Sequence, residues 1–158
     1  MKLSFELLQD DPKTIYTVAS WNQAYWGSQY PDIFDGDDFQ SEFESHAKST
    51  EGLPRTFIAK LNNELAGAVS IESEPAVDGW AFGPWVSNLY VSEDFRGQGI
   101  GNYLMEMALV KLKEEFNYEK AYIWTDASNE EYYTRRLWTA VAGTELGERR
   151  ILVFEKTL

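Results

Sequence analysis

The chain contains no cysteine and a single histidine, His46. Without thiols it can form no disulfide, no thiolate metal site and no cysteine-bound covalent intermediate. One histidine excludes a histidine-rich metal centre and speaks against a catalytic triad, so no metal is expected. His46 itself falls among polar residues and is expected at the surface. No run approaches the ~20 apolar residues of a membrane span. Residues 1–11 lack the basic-then-apolar layout of a signal peptide, so a cytoplasmic location with no membrane partner is expected. Basic residues are scarce as well: 14 Lys and Arg stand against 26 Asp and Glu, a net charge of −12. Such a surface repels nucleic acid. It suits a cationic partner, and equally it suits solubility alone. The acid is concentrated between Pro31 and Gly52, where Asp32, Asp35, Asp37, Asp38, Glu42, Glu44 and Glu51 face only Lys48, a local charge of −6.

What remains is ample for one folded domain over residues 1–158: 44% of the residues are hydrophobic and 15% aromatic. A chain of this length buries roughly 70% of its unfolded surface. Leu3 to Leu8 reads as a first strand, and Asp11-Pro12 as an N-cap with proline at the first helical position. That helix is expected to run to Trp26 and end at Gly27. Tyr30 to Gly36 reads as a loop, and Asp37 or Asp38 as the cap of a second helix reaching Lys48. Arg55–Leu61 and Glu64–Glu72 flank Asn62-Asn63 as a hairpin. Pro84 to Val91 carries few charges and reads as a central strand. Ile100, Leu104, Ala108 and Leu112 recur every fourth residue on one face of a helix reaching Phe116. A strand at Lys120–Thr125, a fourth helix at Asn129–Ala140 and a last strand at Arg149–Lys156 complete the order. The pattern implies an α/β chain with a mixed sheet and helices on both faces.

The most informative stretch is Leu89-Tyr90-Val91 followed by Arg96-Gly97-Gln98-Gly99-Ile100-Gly101. A strand runs into a glycine-rich turn, and the turn opens a helix. Glycines free the backbone N–H groups for close approach, the helix start presents a positive dipole end, and Arg96 adds a full charge. That set binds phosphate. The spacing is neither that of a dinucleotide fingerprint nor that of a nucleotide P-loop.

In Arg-x-x-Gly-x-Gly after an aromatic–aliphatic strand, and in its element order, the chain resembles the GNAT superfamily of acyl-CoA-dependent N-acetyltransferases. The resemblance implies a GNAT fold: a central, mixed, mostly antiparallel sheet of six to seven strands flanked by four helices. It implies acetyl-CoA as co-substrate, held by Arg96, Gly97, Gln98, Gly99, Ile100 and Gly101 at its diphosphate and by the splayed backbone of Leu89, Tyr90 and Val91 at its pantetheine. The N–H of Leu89 would polarise the thioester carbonyl. Asn129 would lie near the pantetheine, although the start of a helix also suits it as an N-cap. Tyr133 aligns with the family's general acid and Trp138 with its aromatic, with Tyr132 as the competitor. Leu137 stands where the family usually has glycine, which puts the end of that helix and the register of Tyr133 in question.

Glu72 and Glu74, at the end of a hairpin strand, are candidate bases for the amine. GNAT acceptors usually approach over the first two helices. Here that region brings Tyr30, Asp32, Phe34 and Asp35, carboxylates and aromatic faces suited to an ammonium group, and Trp21 and Trp26 flank it. The implied reaction is direct transfer of acetyl to the primary amine of a small cationic acceptor such as a polyamine or an aminosugar, or to a protein lysine or N-terminus. The alternative is a non-catalytic acyl-CoA-binding or regulatory module. Many members of the family dimerise, so a homodimer is the assembly the resemblance suggests.

Overall fold

A computed structural model describes residues 2–34, 38–75 and 79–158, the side chain of Asp32 excepted. In chain order the elements are β1 (Leu3–Leu7), α1 (Ile15–Gln29), α2 (Pro31–Phe34), α3 (Phe39–Lys48), β2 (Arg55–Leu61), β3 (Glu64–Glu72) and β4 (Trp85–Val91). They continue with α4 (Ile100–Glu114), β5 (Lys120–Asp126), α5 (Glu130–Arg135), β6 (Thr139–Leu146) and β7 (Arg149–Thr157). The strands form one seven-stranded sheet in the order β1-β2-β3-β4-β5-β7-β6. Every adjacent pair is antiparallel except β4–β5. This is the expected mixed, mostly antiparallel sheet, with α1, α3, α4 and α5 around it and α2 a single turn.

Period-two alternation sorts side chains between the faces. From β2, Phe57 and Ala59 join Ile100, Leu104, Ala108 and Leu112 of α4 on one face. Ile58 joins Val18, Ala19, Phe39 and Phe43 of α1 and α3 on the other. The four α4 residues picked out by their spacing are all buried. Gly67 sets how closely α4 and β4 approach β3, because a Cβ there would sit 2.7 Å from the Tyr90 carbonyl oxygen and 3.0 Å from Leu104 Cδ1.

Several expectations need correction. Asp11 does not cap a helix with its side chain; its carboxylate pairs with Lys60 Nζ at 2.7 Å, a 3-10 turn spans Pro12–Thr14, and α1 starts at Ile15. Gly27 does not end α1, which continues to Gln29. The stop comes at Tyr30, whose φ of −130° and ψ of 60° lie outside the helical region disfavoured before Pro31. Residues 31–34 form a helical turn rather than a loop, and Asp38 caps α3 by accepting from Ser41 N. Asp35 and Asp37 lie outside the described residues.

The largest difference is the fourth helix. It ends at Arg135, not Ala140, and residues 139–146 form the edge strand β6. The alanine-rich run Thr139-Ala140-Val141-Ala142 reads as helix locally, but pairing with β7 overrides that propensity. The helix stops where the family glycine would stop it. Leu137 adopts φ +67°, its N–H donates to Thr134 O at 3.1 Å, and the N–H of Trp138 donates to Tyr133 O at 3.1 Å. These are the two bonds of a Schellman cap, here with leucine at the left-handed position. The accompanying contact is present too: Trp138 is buried and meets the Tyr133 ring edge-on at 6.3 Å. Leu137 itself is 80% exposed, so its side chain packs little to offset the strained backbone. Leu137→Gly is therefore expected to raise stability by about 1 kcal/mol, read as a higher midpoint in urea unfolding with an unchanged slope.

Candidate active site

The site begins with a fault in the sheet. Ala68 pairs with Tyr90 but Ser70 pairs with Ser87, so β4 spends an extra residue opposite β3. Asn88 takes up that bulge at φ +53°, a conformation asparagine tolerates better than most residues. Past the bulge β4 leaves its other neighbour. The parallel β4–β5 ladder holds a single register pair, Trp85 with Tyr122. The N–H of Ser92 donates to Ala66 O at 2.8 Å. By the antiparallel alternation, Tyr90 then turns its backbone groups to β3, while Leu89 and Val91 turn theirs to the gap.

The gap is a cavity of about 330 Å³ lined by Leu89, Tyr90, Val91, Arg96, Gly101, Asn129 and Tyr133, among others. The residues expected to hold pantetheine thus meet the expected acid in one cleft. At its mouth, Gly97 and Gly99 adopt φ of +79° and +81°, and a Cβ on either would meet nothing within 4 Å. Gly99 precedes α4 without a side-chain cap, and the first helical bond runs from Tyr103 N to Gly99 O, so the amides of residues 100–102 lack intrahelical acceptors. Arg96 donates from Nε to the Val91 carbonyl at 2.9 Å and lies over the Tyr90 ring at 5.3 Å. No carboxylate among the described residues pairs with it. Orphan amides, an unpaired guanidinium and open space above two left-handed glycines fit a diphosphate. Gln98 is exposed beside them, whereas the Ile100 side chain is buried under the sheet.

Tyr133 lines the cleft; Tyr132 does not. Tyr132 is 44% exposed, donates to Asn102 Oδ1 at 3.1 Å and carries Arg136 over its ring at 3.5 Å. The Tyr133 hydroxyl is pushed up to about 12, first by burial and then by the neighbouring Tyr132, with Arg136 opposing. It is therefore a protonated donor at neutral pH. Asn129 precedes α5 but does not cap it; its amide donates to Thr125 Oγ1 at 3.0 Å.

A second hollow of about 230 Å³ adjoins the cleft, sharing Trp26, Ser87 and Trp124 with it. It is lined further by Phe34, Glu42, Glu72, Glu74, Pro75 and Asn88, with no lysine or arginine. Phe34, Glu72 and Glu74 thus come together. Tyr30 does not join them: it is buried, lies under Arg149 at 4.9 Å and lines a different hollow. Asp32's side chain and Asp35 lie outside the described residues. Trp26 buries its indole N–H without an acceptor among the described residues, where the two hollows meet.

His46 corrects the expectation of a surface residue. It is 5% exposed, its Nδ1 lies 2.8 Å from Thr56 Oγ1, and its Nε2 lies 3.3 Å from Glu72 and 3.8 Å from Glu42. The signal was in the spacing: Phe39, Phe43 and His46 fall four and three residues apart, on one helical face. Glu42, Ser87 and Trp124 were also missed, and for them no local pattern distinguishes a pocket wall from ordinary surface or core.

The sequence model described as the acetyltransferase (GNAT) family matches residues 15–137. No curated protein matches the chain. Among solved structures, Escherichia coli ElaA is 17% identical, covers 98% of each chain and superposes with a TM-score of 0.67. An aminoglycoside 6′-N-acetyltransferase complexed with coenzyme A is 16% identical over 99% of this chain and 97% of its own, at 0.72. RimL, a ribosomal L7/L12 alpha-N-protein acetyltransferase in complex with coenzyme A, is 15% identical over 100% and 95%, at 0.71. At these identities the likeness is one of fold. Arg96→Ala is expected to weaken coenzyme A binding about tenfold, the scale of one lost charge-assisted hydrogen bond. Titration calorimetry reads the change, which should shrink at high salt.

Proposed function

The chain belongs to the acetyltransferase (GNAT) family and is an acyltransferase, and within that family we propose that residues 1–158 act as one domain that moves the acetyl group of acetyl-CoA onto the primary amine of a small cationic acceptor. The observation that carries this reading is the meeting of two unlike hollows at the bulge. One has a diphosphate cradle, the other three carboxylates and three aromatic walls, and they share Trp26, Ser87 and Trp124.

Acetyl-CoA supplies an activated acyl group whose carbon–sulfur bond breaks as the amine attacks. Arg96 and the amides from Gly97 to Gly101 grip the diphosphate, and the cleft edge of β4 with Asn129 aligns the pantetheine. The N–H of Leu89, turned to the gap, donates to the carbonyl oxygen as negative charge develops there. Glu42, Glu72 and Glu74 draw an ammonium into the second hollow, and the faces of Trp26, Phe34 and Trp124 favour the same charge.

Tyr133 faces the departing sulfur. Its hydroxyl, near 12, lies some three units above an ordinary thiol at about 8.5. Complete transfer of its proton to a thiolate would be uphill by roughly 4–5 kcal/mol. Its role is therefore to donate a hydrogen bond to the sulfur as charge accumulates, with water completing the protonation. No covalent enzyme intermediate is needed, in keeping with a chain that lacks cysteine.

With acetyl-CoA, diamines and aminosugars are expected to release free thiol at least about tenfold faster, as kcat/KM, than neutral or anionic amino acids. The reverse order would overturn the cationic acceptor. Tyr133→Phe is expected to lower kcat about a hundredfold while the Kd for coenzyme A, by calorimetry, stays within about twofold.

A further inference from the structure

His46 is buried against Glu42 and Glu72, two residues that line the acceptor hollow, and the steps above leave it without a task. Its surroundings form a chain of hydrogen bonds that runs from the bulge to the hollow. Asn88 Nδ2 lies 3.2 Å from Ser70 Oγ, Ser70 Oγ 2.7 Å from Thr56 Oγ1, and Thr56 Oγ1 2.8 Å from His46 Nδ1. Beyond the ring, His46 Nε2 lies 3.3 Å from one oxygen of Glu72, and Ser87 Oγ donates to the other.

The direction of the chain can be worked out from its ends. The Asn88 amide nitrogen can only donate, so Ser70 Oγ accepts from it. Ser70 is fully buried, and the partner within reach of its own hydrogen is Thr56. Thr56 then passes its hydrogen to His46 Nδ1. This places the proton of the neutral imidazole on Nε2, aimed at Glu72. The opposite tautomer would strand the Ser70 hydrogen in the core and turn a nitrogen lone pair toward two carboxylates, Glu72 and Glu42. The Glu72 carboxylate is thus held from both sides, by an imidazole N–H and a serine hydroxyl, with its remaining lone pairs toward the hollow.

We infer that His46 is a positioning residue that holds Glu72 as the proton acceptor for the attacking amine; this rests on the acyl-transfer reading above. An alkylammonium, with a pKa near 10.4 in water, must lose a proton before it can attack, and a carboxylate near 4.3 is a poor base unless it is placed in contact with that proton. Glu72 takes it from the nitrogen. The carbon–nitrogen bond then forms, and the carbon–sulfur bond breaks with its electron pair left on sulfur. The ammonium gives up two protons in all; one ends on the coenzyme's sulfur and the other leaves to solvent through the hollow. Glu42 from α3 and Glu72 from β3 face the imidazole, and Glu74 stands across the hollow. Glu74 is exposed, with neither of these anchors. The bulge that opens the coenzyme cleft and the carboxylate that serves the amine are therefore tied together through four side chains.

Because His46 is the chain's one histidine, a protein labelled with 15N-histidine gives a single imidazole to follow. The neutral ring is expected as the Nε2–H tautomer, read from the chemical shifts of its two ring nitrogens. In the steady state, His46→Leu is expected to lower kcat about thirtyfold with the Kd for coenzyme A unchanged. His46→Gln, whose amide can replace the Nε2–H, should recover most of that loss. His46→Leu should add nothing further in a Glu72→Gln background. An Nδ1–H ring, or equal losses in the two backgrounds, would overturn the proposal. The tautomer of the wild-type ring decides even where His46→Leu does not fold. If the wild-type chain acetylates no amine while the spectrum behaves as expected, the acyl-transfer reading fails, and the proton-acceptor role with it, separately from the His46–Glu72 pairing.

Discussion

The opening between β4 and β5 depends on one residue's backbone. Asn88, at φ +53°, puts an extra residue into β4. Without it, β4 would run alongside β5 in a continuous ladder, and there would be neither a cleft nor a turned-out Leu89 N–H. The side chain of the same residue ties the bulge to Ser70 and so to the polar chain that ends at Glu72. A local departure from regular strand geometry thus does two jobs, and a buried network holds it in place.

The rest of the fold holds the two sides of that opening at fixed positions. On one face α4 lies tight beneath β3 and β4, because Gly67 leaves no side chain between them. Its first turn is thereby brought to the mouth of the cleft with its amides free. On the other face α1 and α3 pack together over β2 and β3 and deliver Trp26 and Glu42 to the second hollow, with His46 buried against Glu42 and Glu72. The Schellman cap at Leu137 folds Trp138 back under Tyr133, which fixes the direction of the tyrosine at the far wall.

Much of this was legible in the chain, for identifiable reasons. Strands β2 and β3 and the buried face of α4 follow from strong periodicity and short, well-marked turns. The glycine turn proposed to hold the diphosphate follows from a compact motif of contiguous residues, Arg96 to Gly101. The edge strand β6 was not legible, because its small residues have no strong preference and its state is set by pairing with β7. The cap at Leu137 was obscured because the residue in the left-handed position is not the one that favours it. The second hollow was legible in part: Phe34, Glu72 and Glu74 stood out singly, whereas Glu42 and Glu72 come from separate elements and meet only in three dimensions. Burial of His46 could have been read from its helical spacing, but polar neighbours masked the stripe.

The sheet's two portions, β1–β4 and β5–β7, share a ladder at one residue pair, Trp85 with Tyr122. A ligand laid along the free edge of β4 would sit where the missing ladder would be, as an eighth, non-protein strand. Cohesion between the two portions would then depend on how much of that ligand is present, so occupancy and stability would be linked.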